Sequence, residues 1–166
     1  MKVDFEELFD KMEEVLMGQK AYFNKKTGEV HLFTQTLLDS FIDYSAEPDE
    51  EIDESLPDWE KEAKKEFLEV FYPVGEPRDD YIPMPTQRDV HEWAIMEKFC
   101  FTIEEKEIRE EMDGRIHGSG AFRRFKSGIH KYNIEEDWYK FREKELREIL
   151  KFWCERNDIE YEEGTE

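Results

Sequence analysis

Apolar positions near the start of the chain recur at helical steps. Phe5, Leu8, Phe9, Met12, Val15 and Leu16 lie three and four residues apart with acids between them, which predicts an amphipathic helix over 4–17 closed by Gly18. The period then changes. AYFN, a turn at KKTG and EVHLF predict a β-hairpin, with Tyr22, Val30 and Leu32 on a buried face and Gly28 supplying a positive φ in the turn. LLDSFIDY, residues 37–44, fits a helical turn or a strand edge. Residues 45–55, SAEPDEEIDES, are acidic with almost no apolar side chains, and the stretch of about 45–56 is expected to be a solvated loop or linker.

A second helical stripe, Trp59, Ala63, Phe67 and Val70 or Phe71, starts just after Pro57 and is stopped by Pro73, Gly75 and Pro77. YIPMP, residues 81–85, is too rich in proline for a central strand and suits an edge strand or extended cover. The C-terminal part, 86–157, reads as helical. Thr86 with Asp89 and Thr102 with Glu105 have the spacing of N-cap pairs. They predict one helix carrying Val90, Trp93, Ala94, Met96, Glu97 and Phe99, and another carrying Ile103, Ile108 and Met112. After Gly118-Ser119-Gly120 comes a helix whose stripe is Ala121, Phe122, Phe125 and Ile129. Asn133 and Glu136 are expected to cap the last helix, with Trp138, Phe141, Leu146, Ile149, Leu150 and Trp153 inward, and Ile159 to Tyr161 to return as a short strand. No internal repeat is visible. The expected fold is α+β, mostly helical, with a small antiparallel sheet made of the N-terminal hairpin and short edge strands, in a single domain over 1–166.

Composition adds a heavily charged coat to this picture. Hydrophobic residues make up 38% and charged residues 41%, but 13 Phe, 7 Tyr and 4 Trp can bury enough area for a core. The net charge of −20 repels nucleic-acid backbones and anionic membranes at long range, so such a contact would have to be local. The first residues lack the pattern of a signal peptide, and no apolar run approaches the roughly 20 residues of a membrane span. Cys100 and Cys154 form no CxxC pair and read as small buried hydrophobes. A cytoplasmic protein with no membrane partner is expected.

One stretch departs from the acidic background. Gly114 to Asn133, GRIHGSGAFRRFKSGIHKYN, holds five cationic residues and two histidines and no acid, where average composition would place about five acids. Gly118, Ser119 and Gly120 precede a helix with Arg123, Arg124 and Lys126 in its first two turns. Free N–H groups at a helix N-terminus, the helix dipole and guanidinium groups together suit a phosphate or carboxylate. The order is neither a P-loop nor a dinucleotide fingerprint. The competing reading is a tight inter-helix turn whose arginines pair with the protein's own acids, and both stay open. Aromatic residues (Phe122, Phe125, Trp138, Tyr139, Phe141) interleave with Arg123, Arg124, Lys140 and Arg142, a mixture that can stack bases, yet the spacing of Phe122, Phe125 and Ile129 is that of a core stripe.

GSGAFRRFKSGIHKYNIEEDWYKFREKELREI and the upstream DVHEWAIMEKF, with YFNKKTGEV near the start, resemble a widespread bacterial family of uncharacterised proteins. The resemblance spans nearly the whole chain. It implies an Arg between the two glycines, where this chain has Ser119, and an acid after the Phe-Lys, where it has Ser127. It implies no activity, cofactor or catalytic residue.

Other constellations are weak. None of His31, His91, His117 and His130 stands three or four residues from another His or a Cys, so no local metal pair exists. Neighbouring carboxylates are too common here to signal catalysis. Ser119 lacks the G-x-S-x-G spacing and preceding strand of a nucleophile elbow. No catalytic residue, metal or cofactor is assigned, and a small enzyme has no positive support. The favoured reading is a binding or regulatory module that meets a nucleotide, single-stranded RNA or another anion at Gly118–Lys126. Duplex binding is disfavoured by Glu104, Glu105, Glu107, Glu110 and Glu111 on the preceding helix. The alternative is an acidic interaction module, in the extreme a nucleic-acid mimic, that meets a basic protein through the loop Glu47–Glu54 and its acidic helices.

Overall fold

The computed structural model describes residues 1–41, 54–71 and 76–164. Most of the acidic loop expected over 45–56, together with residues 42–44 and 72–75, lies outside the described residues. The chain divides into two compact units, Met1–Thr86 with Cys154–Glu166, and Gln87–Trp153.

In the first unit, in chain order, stand β1 (Lys2–Asp4), α1 (Phe5–Leu16), β2 (Lys20–Asn24), β3 (Val30–Phe33), α2 (Gln35–Phe41), α3 (Asp58–Val70) and β4 (Tyr81–Pro83). Asp4 starts α1 by accepting hydrogen bonds from the N–H groups of Glu6 at 2.8 Å and Glu7 at 3.2 Å. The helix buries Phe5, Leu8, Phe9, Met12 and Val15, as its spacing predicts. The hairpin β2–β3 is antiparallel with Tyr22 opposite His31, and β4 pairs antiparallel on the other side of β2 with Pro83 opposite Tyr22. The sheet order is therefore β3-β2-β4, which puts Pro83 on an edge, where a missing N–H is tolerated. Gly28 takes φ 77° in the hairpin turn, and the Asn24 side chain braces that turn by accepting from Lys26 and Thr27 N–H.

α3 lays Phe67, Leu68, Val70 and Phe71 into a cluster with Phe33, Phe41 and Tyr81. Trp59, expected on that stripe, is instead 65% exposed, because it sits in the first turn of α3, before the stretch that reaches this cluster.

The second unit contains helices alone among the described residues: α4 (Gln87–Val90), α5 (Glu92–Thr102), α6 (Lys106–Arg115), α7 (Ala121–Lys131) and most of α8 (Glu135–Arg156). Beyond α8, β5 (Glu160–Glu162) belongs to the first unit and forms a parallel ladder with β1, with Val3 opposite Tyr161. The fold is α+β and mostly helical, with the small antiparallel sheet and this short parallel pair. No helix among the described residues is long and apolar enough to cross a membrane.

Three helix boundaries differ from those predicted. The helix expected from Thr86 through Phe99 breaks at His91, which takes the left-handed conformation at φ 50°. Thr102 does not open α6: its hydroxyl donates to the Phe99 carbonyl at 2.7 Å and so closes α5. Asn133, at φ 53°, ends α7 in the left-handed conformation rather than capping α8. In each case a side chain or backbone able to start a helix serves the end of the preceding one.

The second unit's core is aromatic. Phe125 and Trp138 meet edge to face at 4.7 Å, and Phe99 packs on Trp138 at 5.3 Å and on Phe141 at 5.6 Å. Gly128 lets α6 and α7 approach closely, since a Cβ there would stand 2.4 Å from Met112 Sδ.

A basic helix corner with an aromatic rim

The loop between α6 and α7 turns on two glycines in the left-handed conformation, Gly118 at φ 81° and Gly120 at φ 79°. These reversals aim the carbonyls of His117 and Ser119 at the guanidinium of Arg124, whose Nη2 donates to His117 O and whose Nη1 donates to Ser119 O. Its Nε donates to Arg115 O at 3.0 Å. Arg124 is thus turned inward as the brace of its own loop.

Much of the basic island is committed in the same way. Arg115 pairs with Glu111 at 2.9 Å, and Lys131 reaches the same carboxylate at 3.0 Å. The Arg115 and Lys131 cations hold the Glu111 carboxyl below its ordinary pKa. His117 lies 3.8 Å from Asp113, and His130 contacts Glu135. Arg123 and Lys126 are exposed and have no ion pair among the described residues.

Those two cations share the outer face of α7 with Phe122. The buried residues of α7 are Ala121, Phe125, Gly128 and Ile129, while Phe122, expected in the core, lies in its first turn at the edge of that face and is 49% exposed. Interleaved aromatics that share one pattern in sequence therefore part company in the fold. Phe125 and Trp138 are buried, while Phe122 and Tyr139 face solvent.

Phe122 separates two clefts. One, about 540 Å³ and open, is lined by Trp93, Ile116, His117, Gly118, Phe122 and Arg123. Trp93 is half exposed and anchored by its indole N–H, which donates to Ile116 O at 2.7 Å. The other, about 170 Å³, has Phe122, Lys126, Tyr139 and the Glu92–Arg142 ion pair on its walls. The N-terminus of α7 opens beside the first cleft with no side chain capping it, and helix geometry leaves the N–H groups of its first residues without intrahelical acceptors.

Of the predicted site residues, then, Gly118, Gly120 and Arg123 line one cleft and Lys126 the other, while Ser119 and Arg124 build the loop beneath. Sequence reasoning placed Tyr139 only in the base-stacking mixture and did not include Trp93 in the site. Trp93 carries the spacing of an inward position, and only its remaining exposure marks it out. The competing loop Glu47–Glu54 falls, except for Glu54, outside the described residues.

No curated protein and no solved structure matches the chain. The sequence model of the Uncharacterised protein family (UPF0158) matches residues 3–164, nearly the full length, and the chain belongs to that family.

Proposed function

We propose that the rim of α7 binds a nucleotide or a short single strand of nucleic acid, and that the protein is a binding or regulatory module built around this corner. The observation that carries the reading is the exposed Phe122, set between a cleft holding Trp93 and Arg123 and a cleft holding Tyr139 and Lys126. Aromatic faces stack bases with about 1–3 kcal/mol per base, and the two unpaired cations with the open helix end suit the adjoining phosphates. Arg124 enters this reading as the residue that shapes the loop, while Arg123 and Lys126 supply the charge. A net charge of −20 opposes a long duplex, whose phosphates extend far beyond two cations.

Fluorescence anisotropy with a labelled single-stranded RNA tests it. Phe122→Ala should weaken binding about tenfold, and Arg123→Glu with Lys126→Glu should abolish it. The salt dependence should be shallow, a log–log slope of about −1.4 for two phosphates on a single strand. A duplex of the same sequence should bind more weakly. Equal binding by wild type and the double charge reversal would exclude this surface.

A further inference from the structure

Away from that corner, in the first unit, the structure places a histidine among three carboxylates. His31 lies on β3, Glu29 precedes it by two residues, and Glu66 and Glu69 stand three residues apart on α3. We propose that Glu29, His31 and Glu69 form a binding site for a divalent transition-metal ion such as zinc.

The argument begins at the imidazole. His31 Nδ1 meets Glu66 Oε1 at 3.0 Å, a contact in which the ring N–H donates to the carboxylate and leaves the Nε2 lone pair free. That Nε2 is sealed from solvent, in a side chain only 11% exposed, and has no hydrogen-bond partner. A buried polar atom left this way has to be explained. The nearest carboxylate oxygen, Glu69 Oε1, stands 4.0 Å away, too far for a hydrogen bond and wide enough for an ion between them. The ligand atoms of Glu29, His31 and Glu69 all lie within 4.8 Å of one another. Donors on a tetrahedral zinc stand about 3.3 Å apart, so a modest swing of the two exposed glutamates completes the site.

The surroundings fit a metal-binding frame. Glu66 on Nδ1 is the carboxylate–histidine arrangement that orients a ligating ring. The Tyr81 hydroxyl donates to Glu69 Oε1 at 3.0 Å, and the Tyr81 ring meets the His31 ring edge to face at 5.5 Å. One nitrogen and two carboxylate oxygens favour a zinc-like ion over magnesium or calcium, which take oxygen donors. Glu29 and Glu69 are open to solvent, which gives the ion a way in.

The test is calorimetric titration of the chelator-stripped full chain with zinc chloride, with millimolar magnesium present. One tight site is expected. Glu29→Gln, a surface change that leaves folding intact, should weaken it about tenfold or more, and His31→Ala and Glu69→Gln on the order of 100-fold. Glu66→Gln should weaken it about 10- to 100-fold, although Glu66 does not touch the ion. Cobalt in place of zinc should give the visible absorption of a four-coordinate ion, lost in His31→Ala. Zinc binding in the wild type that is weak, displaced by magnesium, or unchanged by Glu29→Gln and Glu69→Gln would overturn the site and assign any bound ion to the general acidic surface.

Discussion

Arg115 and Arg124 hold each other's backbone. Arg124 Nε donates to the Arg115 carbonyl at 3.0 Å, and Arg115 Nη1 donates to the Arg124 carbonyl at 3.2 Å. The end of α6 and the start of α7 are thereby clasped by two side chains of the same charge. Electrostatic repulsion between them is offset by Glu111 on Arg115 and by the loop carbonyls on Arg124.

This clasp separates two arginines that are adjacent in sequence. Arg124→Ala removes charge-assisted bonds to three carbonyls and should lower stability by about 2–3 kcal/mol, a fall in Tm of about 5–10 °C for a chain of this size. Arg124→Lys should recover little, since a single ammonium cannot span the fork of carbonyls. Arg123→Ala should change stability by no more than about 0.5 kcal/mol. Thermal unfolding of the three variants checks this, and equal melting of Arg123→Ala and Arg124→Ala would contradict the geometry.

Glu111 makes the same junction sensitive to acid. Its carboxyl is held below the ordinary range by Arg115 and Lys131. A depressed folded-state pKa adds stability that is complete above the unfolded value and is lost as pH falls through the folded one. Wild type should therefore melt above Glu111→Gln at neutral pH, and the difference should shrink on acidification and vanish once Glu111 is protonated in both states. Melting curves from neutral to strongly acid pH give the comparison. A difference that persists undiminished in acid would mean the carboxylate's charge is not what holds the pair.

Much of the fold is legible in the sequence because its periods are clear. α1 and the position of the hairpin follow from spacing and from Gly28, but the hairpin's buried face does not: Tyr22 stands opposite His31, on the other face from Val30 and Leu32, and Ala21 and Phe23 are the buried apolar residues of β2. The helix boundaries in the second unit are less so, because Thr102 and Asn133 suit the end of one helix as well as the start of the next, and only tertiary contacts decide. The basic island is visible as composition, but composition cannot show that Arg124 points at carbonyls while Arg123 points at solvent. Phe122 fails for a related reason: Phe125 and Phe122 are equally apolar, and spacing alone does not show that the first turn of α7 leaves residue 122 half exposed. The carboxylates around His31 leave no local spacing to read, since residues 29, 31, 66 and 69 meet only when α3 lies on the sheet.

The two cysteines give a simple test of packing. Cys100 and Cys154 are free and fully buried, and burial raises both thiols to about 11. At pH 8 neither is ionised or reachable in the native state, so a thiol-reactive dye should label neither until denaturant is added, and then both. Rapid labelling of one cysteine in the native protein would show that its part of the core opens.

Gly128 sets two opposing effects against each other. Alanine is favoured over glycine inside a helix by about 1 kcal/mol, so Gly128→Ala would stabilise α7 in isolation. In the fold, the new Cβ stands 2.4 Å from Met112 Sδ and 2.9 Å from Arg115 Cδ. Met112 is completely buried and cannot swing into solvent, so the contact must be relieved by moving α6 from α7, and overpacking of this kind costs about 1–3 kcal/mol. The clash should win, with a net loss of about 1–2 kcal/mol in urea denaturation. Shortening the neighbour distinguishes this from a generic helix effect. Met112→Ala alone should cost about 2–5 kcal/mol by leaving a cavity, which the Gly128 methyl would partly fill. The double variant should then be more stable than the sum of the two single losses predicts, by about 1 kcal/mol or more. Simple additivity would place the cost of alanine at 128 elsewhere than on Met112.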